Sequence, residues 1–319
     1  MRALLIVVII LAPVFPWWFG TNYAIPGDNP QTGAGIALGR KLFYEPLLSK
    51  NNQISCATCH RQSLAFTDGQ AVSPGVDGKA TGRNAMSLSN LLWEKSFFWD
   101  GRVRSLEEQA RFPMTNEHEM GQTLAVAAAK LQASAAYAPL FHAAFGESGI
   151  TGDNIVKALA QFERTLISCD APYDRYLQGA YVPTAQEQRG LALFGSKGCA
   201  HCHETPKTFA NRFDNNGLDS LPADPGRAAV TGLAADRGRF KVPTLRNVAL
   251  TAPYMHDGRF RTLEEVLDHY GDHLVKGAGL SAQLRDQPPL SAQDRRDIIA
   301  FLDMLTDATF IHNPQYAAP

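Results

Sequence analysis

Two pentads of the form C-x-x-C-H, Cys56-Ala57-Thr58-Cys59-His60 and Cys199-Ala200-His201-Cys202-His203, carry most of the chemistry of this chain. Each offers two thiols for thioether bonds to the vinyl groups of a haem and an adjacent imidazole for its iron, the pattern of c-type haem attachment. A Cys₄ or Cys₂His₂ zinc site has no need of a histidine directly after the second cysteine both times. The expectation is two covalent c-type haems, held by Cys56, Cys59, Cys199 and Cys202, with His60 and His203 as iron ligands. His201 is expected to face solvent or serve structure. The fifth cysteine, Cys169, reads as a small buried hydrophobe.

The elements that must position these pentads are themselves repeated. Ser87-Leu88-Ser89-Asn90 matches Thr244-Leu245-Arg246-Asn247 at an offset of 157 residues (Asn90 to Asn247). Without a gap, Asp100-Gly101-Arg102 then falls on Asp257-Gly258-Arg259, and Arg104-Ser105-Leu106-Glu107-Glu108 on Arg261-Thr262-Leu263-Glu264-Glu265. The pentads are paired at an offset of 143 (His60 to His203). Both S/T-x-x-E boxes predict helix starts. Asn116–Ala136, Asn154–Leu166, Ala185–Phe194 and Ala292–Leu305 also predict helices, while Asp68–Asn84 and Asn211–Gly238 read as loops. Little alternates with period two. The expected fold is mainly α, with two cytochrome-c-like haem domains related by internal duplication.

Ala3 to Phe19 is an almost unbroken apolar run after Arg2, and residues 1–24 are expected to be a secretory signal peptide or N-terminal anchor, outside the fold. Pro13 and Pro16 weaken it as a bilayer-spanning helix. Export to the periplasm follows, with membrane contact only through this segment if it is uncleaved. Residues 25–180 are assigned to the N-terminal haem domain and 181–319 to the C-terminal one. With 30 basic and 31 acidic residues and no basic cluster, a nucleic-acid partner is not expected.

The repeat is most informative where it breaks. Pro113, near the end of the first capped helix, corresponds to Tyr270 in the second. Proline has no ligating atom, whereas tyrosine offers a phenolate. The N-terminal iron would keep an open, reactive position and the C-terminal iron a sixth ligand, suited to electron transfer. Peroxide at the open iron needs a base to move a proton from its near to its far oxygen. Gln109 and Glu119 lie near Pro113 in sequence, and Glu119 is one acid within Glu117-His118-Glu119, which also fits a solvated helix start.

The chain resembles the bacterial dihaem peroxidase superfamily, which includes cytochrome c peroxidases and MauG-type enzymes. The resemblance rests on Phe66-Thr67-Asp68-Gly69, Arg83-Asn84-Ala85, Phe98-Trp99-Asp100-Gly101-Arg102, Glu119-Met120, Lys241-Val242-Pro243-Thr244-Leu245-Arg246-Asn247 and Ala252-Pro253-Tyr254. It implies that Glu119 is the catalytic acid–base, with Gln109 and Pro113 in its pocket, and that Trp99 stands between the haems. It also implies one calcium ion held by Asn84, Thr251 and Pro253. Two departures point to the MauG-type branch. The loop Arg61–Asn84 has no histidine to cap the first iron, and Asp268-His269-Tyr270-Gly271 has tyrosine where cytochrome c peroxidases carry methionine. The implied activity is reaction with hydrogen peroxide and oxidation of Trp or Tyr residues of a partner protein through a high-valent dihaem state. The alternatives are a peroxidase drawing electrons from a small cytochrome or cupredoxin and, in another class, a non-enzymatic dihaem electron carrier. Lys197 stands where a MauG-type surface relay tryptophan would be expected.

Overall fold

The computed structural model describes Pro16, Phe19, Gly20 and residues 23–319 other than 206. The first half holds α1 (Gly33–Phe43), α2 (Cys56–Cys59), α3 (Leu106–Thr115), α4 (Leu124–Gln132), α5 (Ala138–Phe145) and α6 (Gly152–Glu163). After α7 (Pro172–Leu177), the second half holds α8 (Ala185–Ser196), α9 (Ala228–Thr231), α10 (Leu263–Asp272), α11 (Ala282–Arg285), α12 (Ala292–Asp303) and α13 (Ala308–His312). Among the described residues the only sheet is β1 (Phe213–Asp214) antiparallel to β2 (Phe240–Lys241).

Each half is built on a crossed pair of helices, α1 on α6 and α8 on α12. The crossing depends on a glycine in both. A Cβ on Gly39 would fall 1.9 Å from Ala158 O, and one on Gly190 1.9 Å from Asp297 O. Only a residue without a Cβ permits so close an approach. Around the first crossing pack Leu38, Leu42, Phe43, Ile155, Leu159 and Phe162, and around the second Phe194, Ile298, Phe301 and Leu302.

The repeat extends to backbone detail. α3 and α10 start and end at positions 157 residues apart, and both are capped as expected, Ser105 accepting from Glu108 N at 3.1 Å and Thr262 from Glu265 N at 3.2 Å. Such a cap is worth about 1 kcal/mol of helix stability. Glu265 reaches back to Arg261 N, one residue before the cap, at 2.5 Å. Asn90 and Asn247 both adopt left-handed backbone conformations, with φ of 63° and 61°. At the junction of the halves, the Asn90 side chain bonds both backbone groups of Ser168, and Asn247 donates to Ser168 Oγ at 3.1 Å and accepts from Asp307 N at 2.8 Å.

Three expectations meet a different structure. The helix expected over Asn116–Ala136 is confined to α4, because Glu119 N, Met120 N and Gly121 N bond back to Asn116 O, Pro113 O and Asn116 O in a tight turn. The boundary expected at 180/181 is crossed in both directions. Tyr173 belongs to the C-terminal core, while Phe310 and Tyr316 close the N-terminal core against Phe66. Most of the expected leader lies outside the described residues, yet Phe19 is fully buried against Trp93 and Phe209, and Trp93 Nε1 donates to Gly20 O at 3.2 Å. An aromatic this well packed belongs to the folded body, so 1–24 does not stand wholly apart from it. No helix of the described residues is long and apolar enough to cross a membrane.

Candidate active site

A single cavity of about 680 Å³ runs between the two halves and is lined by Cys56, Cys59 and His60 on one side and by Cys199, Cys202 and His203 on the other. Its walls are largely apolar, with a few inward-facing polar groups, as expected of a cofactor site. Both pentad histidines are oriented by a backbone carbonyl. His60 Nδ1 donates to Phe66 O at 2.7 Å and His203 Nδ1 to Pro243 O at 3.2 Å, which leaves each Nε2 as the free lone pair. Burial lowers the pKa of both imidazoles, that of His203 to about 4, so they stay neutral and able to ligate. Burial pushes the Cys199 and Cys202 thiols up to about 11. Among the described residues no cluster of three or more His, Cys, Asp or Glu converges as a metal site. The donor set fits two covalently held haems. His201 is exposed, as expected.

α3 and the turn after it form the wall beside the first pentad. Gln109 and Pro113 line the cavity, and Gln109 Oε1 is buried without a hydrogen-bond partner among the described residues. Glu119 lines it too, held by a bond from Asn116 Nδ2 to Oε1 at 2.7 Å. The segment carrying Glu119 packs closely against Gly75, where a Cβ would lie 1.9 Å from His118 O, and Val76 N bonds Glu119 O at 2.8 Å. Burial raises the Glu119 pKa above its ordinary 4.5, opposed by the Asn116 bond and the Arg102 charge. Glu117 instead is exposed and paired with Lys79 at 2.6 Å.

Across the cavity, Tyr270 faces inward from α10, as Pro113 does from α3. Burial pushes its phenol up to about 12, with a hydrogen bond from the Asn216 side chain acting in the opposite sense. Its neighbour His269 turns away and donates from Nε2 to Asn216 O at 2.9 Å. Met255 and His256 line the same cavity, His256 stacked on Phe240 at 3.7 Å between ring centroids.

The family model for the di-haem cytochrome c peroxidases matches residues 33–181. The chain is 41% identical over 284 residues to the methylamine utilization protein MauG of Methylorubrum extorquens, covering 88% of this chain and 80% of that protein. The chain belongs to the di-haem cytochrome c peroxidase/MauG family. It is also 34% identical over 279 residues to the cytochrome c551 peroxidase of Pseudomonas aeruginosa, covering 84% of this chain and 78% of that one. The crystal structure of a MauG-like protein associated with microbial copper homeostasis superposes with a TM-score of 0.86 at 37% identity, covering 93% of this chain and 96% of that one. As a member of this dihaem family, the chain is a haem-dependent oxidoreductase with two c-type haems. The purified protein is therefore expected to show two haem additions by mass spectrometry, and a single addition would contradict the assignment of both pentads.

Trp99 lines the cavity and bridges the halves. Its Nε1 donates to Asn84 O at 2.9 Å, and its own carbonyl accepts from Lys241 N at 2.7 Å. Asn84, Thr251 and Pro253 border the same cavity. The Asn84 amide donates to Gln70 O at 2.8 Å. Several lining groups had no role assigned to them from the sequence. Glu94 and Lys241 form a nearly fully buried ion pair at 2.6 Å. Glu163, buried beside the first pentad, has Oε2 without a hydrogen-bond partner among the described residues, and desolvation pushes its carboxyl up to about 8. Arg102 stacks on Phe98 at 3.7 Å. The one available signal was Glu163, an acid on the apolar face of a predicted helix that also carries Ile155, Val156, Leu159 and Phe162.

Proposed function

We propose that this enzyme reacts with hydrogen peroxide at the N-terminal haem and, MauG-like, spends the oxidising equivalents on Trp or Tyr side chains of a partner protein in the periplasm. The observation that carries this reading is the asymmetry of two otherwise duplicated walls, Pro113 on α3 against Tyr270 on α10. Bound haem iron supplies the redox chemistry, and an anionic oxygen ligand favours its ferric and higher states. Glu119 takes the peroxide proton and returns it to the leaving oxygen, with Gln109 and Asn116 fixing solvent and carboxylate. Pro113 leaves space for peroxide. Asn84, Thr251 and Pro253 hold one calcium ion that braces the Trp99 loop through Asn84.

Trp99 provides an easily oxidised ring between the haems. Trp99→Phe keeps most of the packing and removes the indole. After peroxide addition this variant is expected to confine the absorption change to the N-terminal haem. A joint response of both haems and undiminished partner oxidation would make Trp99 a packing residue.

The second reading is a peroxidase fed by a small cytochrome or cupredoxin. It is favoured by Lys197, whose Nζ is held by Pro289 O at 2.8 Å and Asp294 at 3.2 Å, so no oxidisable ring occupies that surface position. Peroxide is added to the loaded protein in the presence of a reduced small cytochrome c. The MauG-like reading expects both haem spectra to change together with slow oxidation of the donor; fast, stoichiometric donor oxidation supports the second reading.

A further inference from the structure

Glu163 has no part in the proton transfer assigned to Glu119. It closes α6, is only 5% exposed and borders the cavity beside the first pentad, and its Oε2 has no hydrogen-bond partner among the described residues. The repeat makes its position informative. A Cβ on Gly39 would meet Ala158 O at 1.9 Å and Phe162 Cβ at 2.9 Å, and one on Gly190 would meet Asp297 O and Phe301 Cβ at the same distances. Phe162 therefore corresponds to Phe301, and the next residue, Glu163, to Leu302. Both border the cavity. One half thus sets a carboxyl against its haem site where the other sets an apolar side chain.

The surroundings give this carboxyl no counter-charge of its own. Arg164 Nη2 donates to both carboxylate oxygens of Glu107 on α3, at 2.7 and 2.9 Å, and acts on Glu163 through its charge alone. From α2 the neighbour is Cys56, a thiol that haem attachment turns into an uncharged thioether, and Glu119 on the same cavity adds a like charge. The ionisable groups of the helices packed on α6 are engaged elsewhere. Arg40 of α1 bonds Ala317 O, Lys41 lies over the Tyr137 ring, Arg111 of α3 pairs with Asp153, Lys130 of α4 bonds Ser49 O and Asn52, and His142 of α5 is exposed. A haem in the cavity excludes water, and its porphyrin face and thioether edge offer no hydrogen-bond donor. An unpaired buried charge costs more than neutralising the group, so the carboxyl keeps its proton in the resting protein. Desolvation pushes it up to about 8, opposed by the Arg164 charge.

Such an acid is coupled to the iron. Removing an electron from the haem adds a positive charge beside the carboxyl, which favours the carboxylate. By linkage, the carboxylate favours the oxidised haem by the same factor. We propose that Glu163 is a redox-linked proton site of the N-terminal haem. As the iron passes from ferrous to ferric, one electron leaves for a one-electron oxidant such as ferricyanide, the Glu163 O–H bond breaks and the proton passes to water. Leu302 gives the C-terminal haem no such partner, so pH sets the difference in potential between the haems and with it the direction in which they share electrons.

The test is a redox titration of the haem-loaded full-length protein at pH values on both sides of 8, with electron paramagnetic resonance to tell the haems apart. Wild type is compared with Glu163→Gln, which removes only the proton, and with Glu163→Leu, which copies the other half. A carboxylate lowers the potential, so the wild-type N-terminal midpoint is expected to fall as pH rises through about 8. Both variants are expected to lose this fall and hold the acid-side value, while the C-terminal midpoint titrates alike in all three. The carboxyls of the haems themselves are common to all and cancel in the comparison. A fall in Glu163→Gln equal to that of wild type overturns the proposal, as does an offset that is constant with pH, which altered packing alone would give. If these variants fail to take up two haems, judged by mass, Glu163→Asp replaces them. Its acid on a shorter arm is expected to move the pH at which the midpoint falls, and an unmoved fall overturns the proposal.

Discussion

Glu119→Gln is expected to slow the reaction with hydrogen peroxide by about 10²- to 10⁴-fold, the usual worth of a positioned acid–base group. Glutamine keeps the size and the bond from Asn116 and removes only the capacity to carry a proton. Both haems should still attach, and the C-terminal haem spectrum should not move. The pH dependence follows from burial. Glu119 acts as a base only when deprotonated, and desolvation raises its pKa above the ordinary 4.5. The wild-type rate should therefore fall as pH is lowered through that raised value, and the limb should be missing in the variant. Stopped-flow mixing with peroxide across pH measures both. A wild-type rate in Glu119→Gln would pass the role to another group. Glu117 is a poor heir, being exposed and paired with Lys79. Glu163, buried on the cavity wall and pushed up to about 8, is the better one.

Tyr270→Phe is expected to change the resting spectrum of the C-terminal haem and raise its potential, while the N-terminal haem keeps its own spectrum. The ring and its packing survive, so the loss is confined to one oxygen. Without the phenolate the ferric state loses its anionic support. Electron paramagnetic resonance resolves the two haems separately. An unchanged resting spectrum would remove Tyr270 from the iron and leave Met255, on the same wall, as the first alternative.

How legible these sites were depended on whether the information is local. The capping boxes at Ser105 and Thr262 are four-residue patterns, and both open helices where expected. The correspondence of Pro113 with Tyr270 was readable because the repeat runs without a gap through α3 and α10. By local pattern alone, apart from the family resemblance, Glu117 and Glu119 were indistinguishable, two acids flanking one histidine. Distant Gly75 permits the close approach of the segment that carries Glu119, and Lys79 pairs with Glu117 at the surface. The same turn ended the helix expected from Asn116, since three amides in succession bond back toward Asn116 and Pro113.

The sequence by itself determined a pair of c-type haem pentads on a duplicated helical frame, because the pentads, the capping boxes and the repeat are set by neighbours along the chain. Only the tertiary structure decided which groups share the cavity with them. Asn216 meets Met255, Lys241 meets Glu94, and Glu163 faces the first pentad across long stretches of chain. It also drew Phe19 and the C-terminal Phe310 and Tyr316 into cores that a linear division of the chain would leave open. The physical reason is that burial, and with it the shifted proton affinities of Glu119, Glu163 and Tyr270, depends on how the helices cross. In both halves that crossing is set by a glycine at the closest approach, Gly39 in one and Gly190 in the other.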